Sequence, residues 1–353
     1  MLFASCLLLL NFQLQQIQKM KYLSLLILPF VLLLGCSSCN DDPVVKTDST
    51  ETVKTFRVKG PAFSSDSAYG FIKTQVDFGP RVPGTPGHEK CAAYLEEKLK
   101  SYGLTVTVQE GDAMMLDRKI RIKNIMGAYK PERKDRILLL AHWDTRMFAD
   151  RDSTNKDKPI DGANDGGSGV GVLLEMARII REKDPNLGID FLFVDAEDNG
   201  QHIDTPEDQR KEDTWCLGTQ YWATHKPAGY APKYGILLDM VGAKNAVFPR
   251  EGTSLTYASW LVDKVWTAAA QLGYGSTFVN DRTGETTDDH LYINGVAGIP
   301  CIDIVHYDPI ARDYMPCHHR HCDNMDNIDK NTLRIVGELL VDIIYNEMPS
   351  QTP

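Results

Sequence analysis

Residues 136–144 read Arg-Ile-Leu-Leu-Leu-Ala-His-Trp-Asp, and residues 189–198 read Ile-Asp-Phe-Leu-Phe-Val-Asp-Ala-Glu-Asp. Each is a short apolar run that stops abruptly in acidic or imidazole side chains. Two more runs of this kind, 234–240 and 299–305, follow later in the chain. Unbroken apolar runs of this length suit strands covered on both faces, because a half-exposed strand alternates instead. Helical patterns fall between and after them, at 168–181, 219–225, 255–272 and 330–346. Upstream, 67–77 and 88–102 also read as helices, the second stopped by Gly103, a residue that readily takes the left-handed turn ending a helix. The runs 104–109 and 120–128 alternate as half-buried strands do. Strands alternating with helices predict an α/β fold, a sheet sandwiched between helix layers.

In such folds ligands gather beyond the carboxyl ends of the strands, and the acidic residues of this chain stand there. The first run delivers His142 and Asp144, the second Glu197 and Asp198, the third Asp239. Asp165 lies in Gly162-Ala163-Asn164-Asp165-Gly166-Gly167, just ahead of the helix at 168. Asp288-Asp289-His290 precedes the last strand, and His318-His319-Arg320-His321 follows it. A single Asp at a strand end is ordinarily a helix cap or a turn residue. Several on one edge of one sheet repel one another unless a cation neutralises them. Carboxylate oxygens joined by imidazole suit zinc, which keeps a fourth position open when catalytic.

The rest of the sequence sets limits. A net charge of −10 over 353 residues, with no basic cluster, excludes a nucleic-acid surface. The start at Met20-Lys21-Tyr22, an apolar stretch over 23–34 and then Gly35-Cys36 form an export leader, too short to span a bilayer comfortably. Its end resembles a bacterial lipobox, which makes Cys36 the expected lipidation site and the lipid the only membrane attachment; an ordinary cleaved signal peptide is the alternative. The expected organisation is a leader over 1–36, a polar tether over 37–55 and one catalytic domain over 56–349, in a periplasmic or cell-envelope lipoprotein. Cys317 and Cys322 are near enough in sequence to pair in an oxidising compartment, while Cys91 and Cys301 are expected to be small buried residues.

Taken in order, Gly79-Pro80-Arg81-Val82-Pro83-Gly84, His142-Trp143-Asp144, Gly162-Ala163-Asn164-Asp165, Asp195-Ala196-Glu197-Asp198, Leu237-Leu238-Asp239-Met240-Val241-Gly242-Ala243 and Asp288-Asp289-His290 resemble the glutaminyl cyclases of the zinc-aminopeptidase (M28-like) superfamily. The similarity runs from about residue 78 to 344. The resemblance implies a three-layer α/β/α sandwich with a mixed central sheet, and one zinc ion held by Asp165, Asp198 and a late His, taken as His321 with His318 and His319 as alternatives. It implies Glu197 as proton carrier, in a hydrogen-bond network with Asp239 and Asp289. The implied reaction is glutaminyl-peptide cyclotransfer: the N-terminal Gln of a peptide or protein closes to pyroglutamate and releases ammonia. Trp215, then Trp143, are the candidates for lining the Gln pocket.

This sequence departs from the family pattern in having Asp198 where Glu is frequent, and Arg320 rather than an aromatic residue before His321. Two other functions remain. A two-zinc exported aminopeptidase would place its second ion on His142 and Asp239, both present. A non-catalytic binding lipoprotein would be expected to have lost ligands or the proton carrier, and all are in place.

Overall fold

Two capped helices lead into the sheet. In the computed structural model, which describes residues 57–348 apart from residue 212, α1 (Ser65–Asp77) begins where the Ser64 hydroxyl accepts the N–H of Ser67. Likewise α2 (Pro86–Ser101) begins where Thr85 accepts from His88. Each starts two residues before its apolar pattern does, because a cap satisfies amides that the pattern does not reveal. Cys36, the leader and the tether fall outside the described residues.

Next come β1 (Thr105–Met115) and β2 (Arg118–Tyr129), an antiparallel hairpin closed by Leu116 and Asp117. Its outer half escapes a search for alternating apolar residues because charge pairs hold it: Arg121 bridges Glu110 and Asp112 across the strands, each at 3.2 Å. The remaining elements are β3 (Arg136–His142), α3 (Gly167–Glu182), β4 (Gly188–Val194), α4 (Leu217–His225), β5 (Gly235–Asp239), β6 (Phe248–Arg250), α5 (Gly252–Gln271), β7 (Phe278–Arg282), α6 (Asp289–Gly295), β8 (Cys301–Val305), β9 (Tyr307–Asp308), β10 (Asp313–Tyr314) and α7 (Lys330–Tyr345). The sequence patterns did not reveal β6, β7, α6, β9 or β10. These have two to seven residues each, too few for a periodicity to show.

Six strands form one mixed sheet in the order β1-β2-β4-β3-β5-β8. β2 pairs antiparallel with β1 and β4, whereas β4, β3, β5 and β8 run parallel. Every residue of β3, β4, β5 and β8 is buried, as their apolar runs require. Ile137, Leu139 and Ala141 of β3 pack into a core shared with α1, α2, α3, α5 and α7. Leu138 and Leu140 face the opposite layer, where Trp222 of α4 and Ile293 of α6 meet them. This is the expected three-layer α/β/α sandwich.

Helix α3 is the tightest fit, with thirteen of its sixteen residues buried. A Cβ at Gly169 would lie 2.2 Å from the Leu238 carbonyl oxygen, so glycine there lets the helix press onto β5. Each Leu or Ile it buries contributes roughly 1.5–3 kcal/mol. The close approach also fixes where Asp165, two residues before the helix, meets the end of β5.

After β3 the chain adds β4 on one side, then crosses to add β5 on the other. The carboxyl ends of three strands therefore open around one crevice, the place where parallel sheets bind ligands. Among the described residues no helix is long and apolar enough to cross a membrane. Cys91 and Cys301 are buried free thiols, joined in that by Cys216, and Cys317 is bonded to Cys322.

Candidate active site

The crevice holds a cavity of about 360 Å³ whose floor is acidic: Asp165, Glu197, Asp198, Asp239 and Asp288 all line it. Buried anchors fix each of these side chains. The turn after β4 is set by two Asp residues that never reach the cavity. Asp195 accepts the backbone N–H of Lys123 at 2.7 Å and pairs with His88 at 2.9 Å, both side chains fully buried. Asp144 accepts the N–H groups of Glu197 and Asp198 at 3.0 and 3.2 Å, and the Asn199 side chain at 2.9 Å. With the turn's amides satisfied from behind, the Glu197 and Asp198 carboxyls face the opening. Removing either partner of a buried hydrogen bond such as His88–Asp195 leaves the other polar group unpaired, at a cost of about 1–3 kcal/mol.

The loop before α3 is fastened in the same way. Arg81, fully buried, donates to the carbonyls of Asp161, Gly162 and Trp143. From the other side Asp323 accepts the N–H groups of Asn164 and Asp165 at 2.9 and 3.1 Å. Asp165 is thereby held with Oδ1 3.2 Å from His142 Nε2 and Oδ2 3.7 Å from His319 Nε2. The same His319 nitrogen stands 2.8 Å from Asp198 Oδ1. His319 is positioned in turn by the Trp215 ring, parallel to it at 5.9 Å, and by Asp150 Oδ1, 3.7 Å from its Nδ1.

Two buried oxygens in this cluster, Asp165 Oδ2 and Asp198 Oδ2, have no hydrogen-bond partner among the described residues. Buried carboxylate oxygens without donors are costly. Both carboxylates line the cavity with His319, whose Nε2 is near an oxygen of each, and two carboxylates with an imidazole are a donor set suited to a three-ligand zinc site. The residues present fit a metal ion.

Beside this trio, the Cys216 S–H donates to Glu197 Oε1 at 3.3 Å, and Asp288 joins Glu197 and Cys216 in a cluster whose polar atoms lie within 4.8 Å of one another. Burial pushes the Glu197 carboxyl well above its usual range; the charge on His142 opposes this, and the carboxylates of Asp288, Asp198 and Asp289 add to it. Burial likewise pushes Asp239 up to about 7, against the hydrogen bond from His142 at 3.2 Å. Carboxyls raised toward neutrality in a crevice are the groups that take and return protons near pH 7.

Residues 124–344, more than half of the sequence, match the model of peptidase family M28. The chain belongs to peptidase family M28. Among solved M28-like structures, it is 50% identical to a glutaminyl cyclase of Bacteroides thetaiotaomicron bound to N-acetylhistamine, with a TM-score of 0.79, over 82% of this chain and all of that one. It is 46% identical to a Zn-dependent exopeptidase of Parabacteroides distasonis, TM-score 0.79, over 81% of this chain and 99% of the other. An aminopeptidase of Bacillus subtilis is 25% identical over 265 residues, 69% of this chain. The chain spans half the length of that relative. The family and the zinc-dependent neighbour imply zinc as the ion.

On the M28 scaffold the structure brings together Asp165, Glu197, Asp198, Asp239 and Trp215 at the cavity, leaves His321 and Trp143 away from it, and puts Asp289 behind the wall, within electrostatic reach of Glu197. His321 is exposed and turned outward, its backbone N–H and Nδ1 both on Asp152 Oδ2, at 2.8 and 2.6 Å. His319 takes its place at the carboxylates, because the backbone reverses there with φ of +55° and sends the ring inward. His318 is also near, 3.9 Å from Asp165 Oδ2, and with Asp165 and His319 it brings donor atoms within 4.8 Å of one another, but only His319 also reaches Asp198.

Trp143 does not line the cavity. It is fully buried, stacked on His88 at 4.3 Å, with its indole N–H on the Lys123 carbonyl. It lies on the side of β3 that faces α2, like Ala141 before it. Asp289 is also away from the cavity wall and fully buried, while Asp288, the N-cap of α6, is the carboxylate beside Glu197. Asp288 was missed because nothing in the Asp-Asp-His sequence shows which Asp caps the helix and which begins it. Asp144, Asp195 and Asp323 were legible only as acidic residues near the motifs, and their backbone bonds depend on contacts distant in sequence.

Proposed function

We propose that this chain is a glutaminyl-peptide cyclotransferase, an acyltransferase acting on peptides and proteins that begin with Gln. The observation carrying this reading is the 50% identity to a solved glutaminyl cyclase over that protein's entire length. Asp165, Asp198 and His319 would hold one zinc ion, which when bound would supply Lewis acidity for a substrate amide carbonyl.

The chain's own residues handle protons and position. Glu197 takes a proton from the α-amine, whose nitrogen bonds to the side-chain amide carbon. It returns the proton to the amide nitrogen, which leaves as ammonia when its bond to that carbon breaks. Burial, with the like charge of Asp288 clustered beside it, holds the Glu197 carboxyl above its usual range and so favours the protonated form, while Asp239 stands at the end of β5. Trp215 gives the cavity lining an aromatic face, braced by the Arg146 guanidinium 4.7 Å from its ring. The amine and the amide it attacks belong to one residue, so the enzyme has to orient one side chain and needs no activated water.

The aminopeptidase remains the second reading because His142, Asp165 and Asp239 bring donor atoms within 4.8 Å of one another, a seat for a second ion. A third reading, a non-catalytic binding lipoprotein, gives Glu197 no task. Export with a lipid on Cys36 belongs to the proposal, with the catalytic domain over 56–349. The Cys317–Cys322 disulfide supports an oxidising compartment.

The reading is tested by offering one peptide beginning with Gln and an otherwise identical one beginning with Leu. Ammonia is expected from the first and no free leucine from the second. Leucine released as fast as ammonia would transfer the assignment to the two-zinc aminopeptidase.

A further inference from the structure

The segment that carries His319 is closed at both ends by a covalent bond. Cys317 and Cys322 are joined, and His318 and His319 lie between them. The backbone bonds along this segment are local, His318 N to Met315 O, Arg320 N to Cys317 O and Asp323 N to Arg320 O. Outside it, Arg151 N donates to the His319 carbonyl and His321 holds Asp152. His319 itself sits at φ of +55°, a left-handed conformation that non-glycine residues leave when nothing constrains them. Directly after Cys322 comes Asp323, whose carboxylate fastens the backbone of Asn164 and Asp165. One short segment thus presents one ligand and steadies the loop that presents another.

The bond is also within reach of solvent, since Cys322 is exposed and Cys317 half-buried, unlike Cys91, Cys216 and Cys301. We propose that the Cys317–Cys322 disulfide is a positioning element for His319, so that zinc retention and activity depend on the oxidised state of this one bond. The inference rests on the assignment of zinc to Asp165, Asp198 and His319. Closing so short a loop restricts its open conformers roughly 40-fold in the chain-entropy description. Reduction gives that freedom back: the S–S bond takes two electrons and two protons and becomes two thiols. With a phosphine as reductant, phosphorus is oxidised to the phosphine oxide and water supplies the oxygen.

The experiment uses the zinc-loaded full chain. Zinc content is first measured on the oxidised protein. The protein is then treated with a water-soluble phosphine, the new thiols are counted by alkylation and mass spectrometry, and zinc transfer to a chromogenic chelator is timed. The double variant Cys317→Ser/Cys322→Ser provides the same comparison without reductant, with circular dichroism reporting the fold. Both the reduced protein and the variant are expected to lose zinc about 10- to 100-fold faster than the oxidised protein, with unchanged secondary structure. If the variant fails to fold, the reduced native protein still gives the rate. Release rates within twofold of one another would overturn the proposal. Oxidised protein without stoichiometric zinc would instead remove the zinc assignment, and this inference with it.

Discussion

Glu197→Gln is expected to lower turnover of a Gln-initiated peptide by about 10²–10⁴-fold, the usual contribution of a positioned general acid–base, while zinc content stays at the wild-type level. The change removes one ionisable oxygen and preserves shape, so packing against Cys216 and the turn held by Asp144 should survive. An amide cannot accept the amine proton or return it to the leaving nitrogen. Because Glu197 is adjacent to Asp198 but is not assigned to the metal, chemistry and metal binding should separate in this variant. Elemental analysis and steady-state kinetics on one preparation give both quantities. Full activity would remove Glu197 from the proton path, and lost zinc would move it among the ligands.

His319→Ala and His321→Ala should differ sharply, although the two residues are neighbours in one loop. Losing His319 takes away one of three ligands, and zinc affinity should fall by more than the roughly 10–100-fold typical of losing an outer partner of a ligand. Losing His321 removes an exposed contact with Asp152. Exposed ion pairs contribute about 0–1 kcal/mol, so zinc content and activity should remain close to wild type. Competition with a chelator measures both affinities. The reverse result would return the ligand role to His321 and contradict the geometry of the loop.

The contrast between these two histidines shows where a sequence stops being informative. The four parallel strands were legible because burial on both faces forces an uninterrupted apolar run, and β3, β4, β5 and β8 each have one. Asp165, Glu197, Asp198 and Asp239 followed from their places at the ends of those strands or just before a helix. The histidine that meets these carboxylates did not, because three histidines share a loop in which the backbone reverses at His319 and a disulfide joins the ends. Trp143 adjoins His142, yet strand alternation sends neighbouring side chains to opposite faces, and its ring went to the core with His88. Asp288 and Asp289 differ by one helical position, so the cap faces the cavity and its neighbour is buried behind it. In each case the missing information was a direction, which depends on contacts remote in sequence.

As proposed, this M28 protein cyclises N-terminal Gln. The most direct measurement is mass spectrometry of a Gln-initiated peptide after incubation with the protein, with and without a metal chelator. The expected product is a peptide of unchanged length, lighter by one ammonia, whose formation stops with chelator and resumes when zinc is restored. Free glutamine with a peptide shortened by one residue would contradict it in favour of the aminopeptidase, and an unaltered peptide would leave only a binding protein.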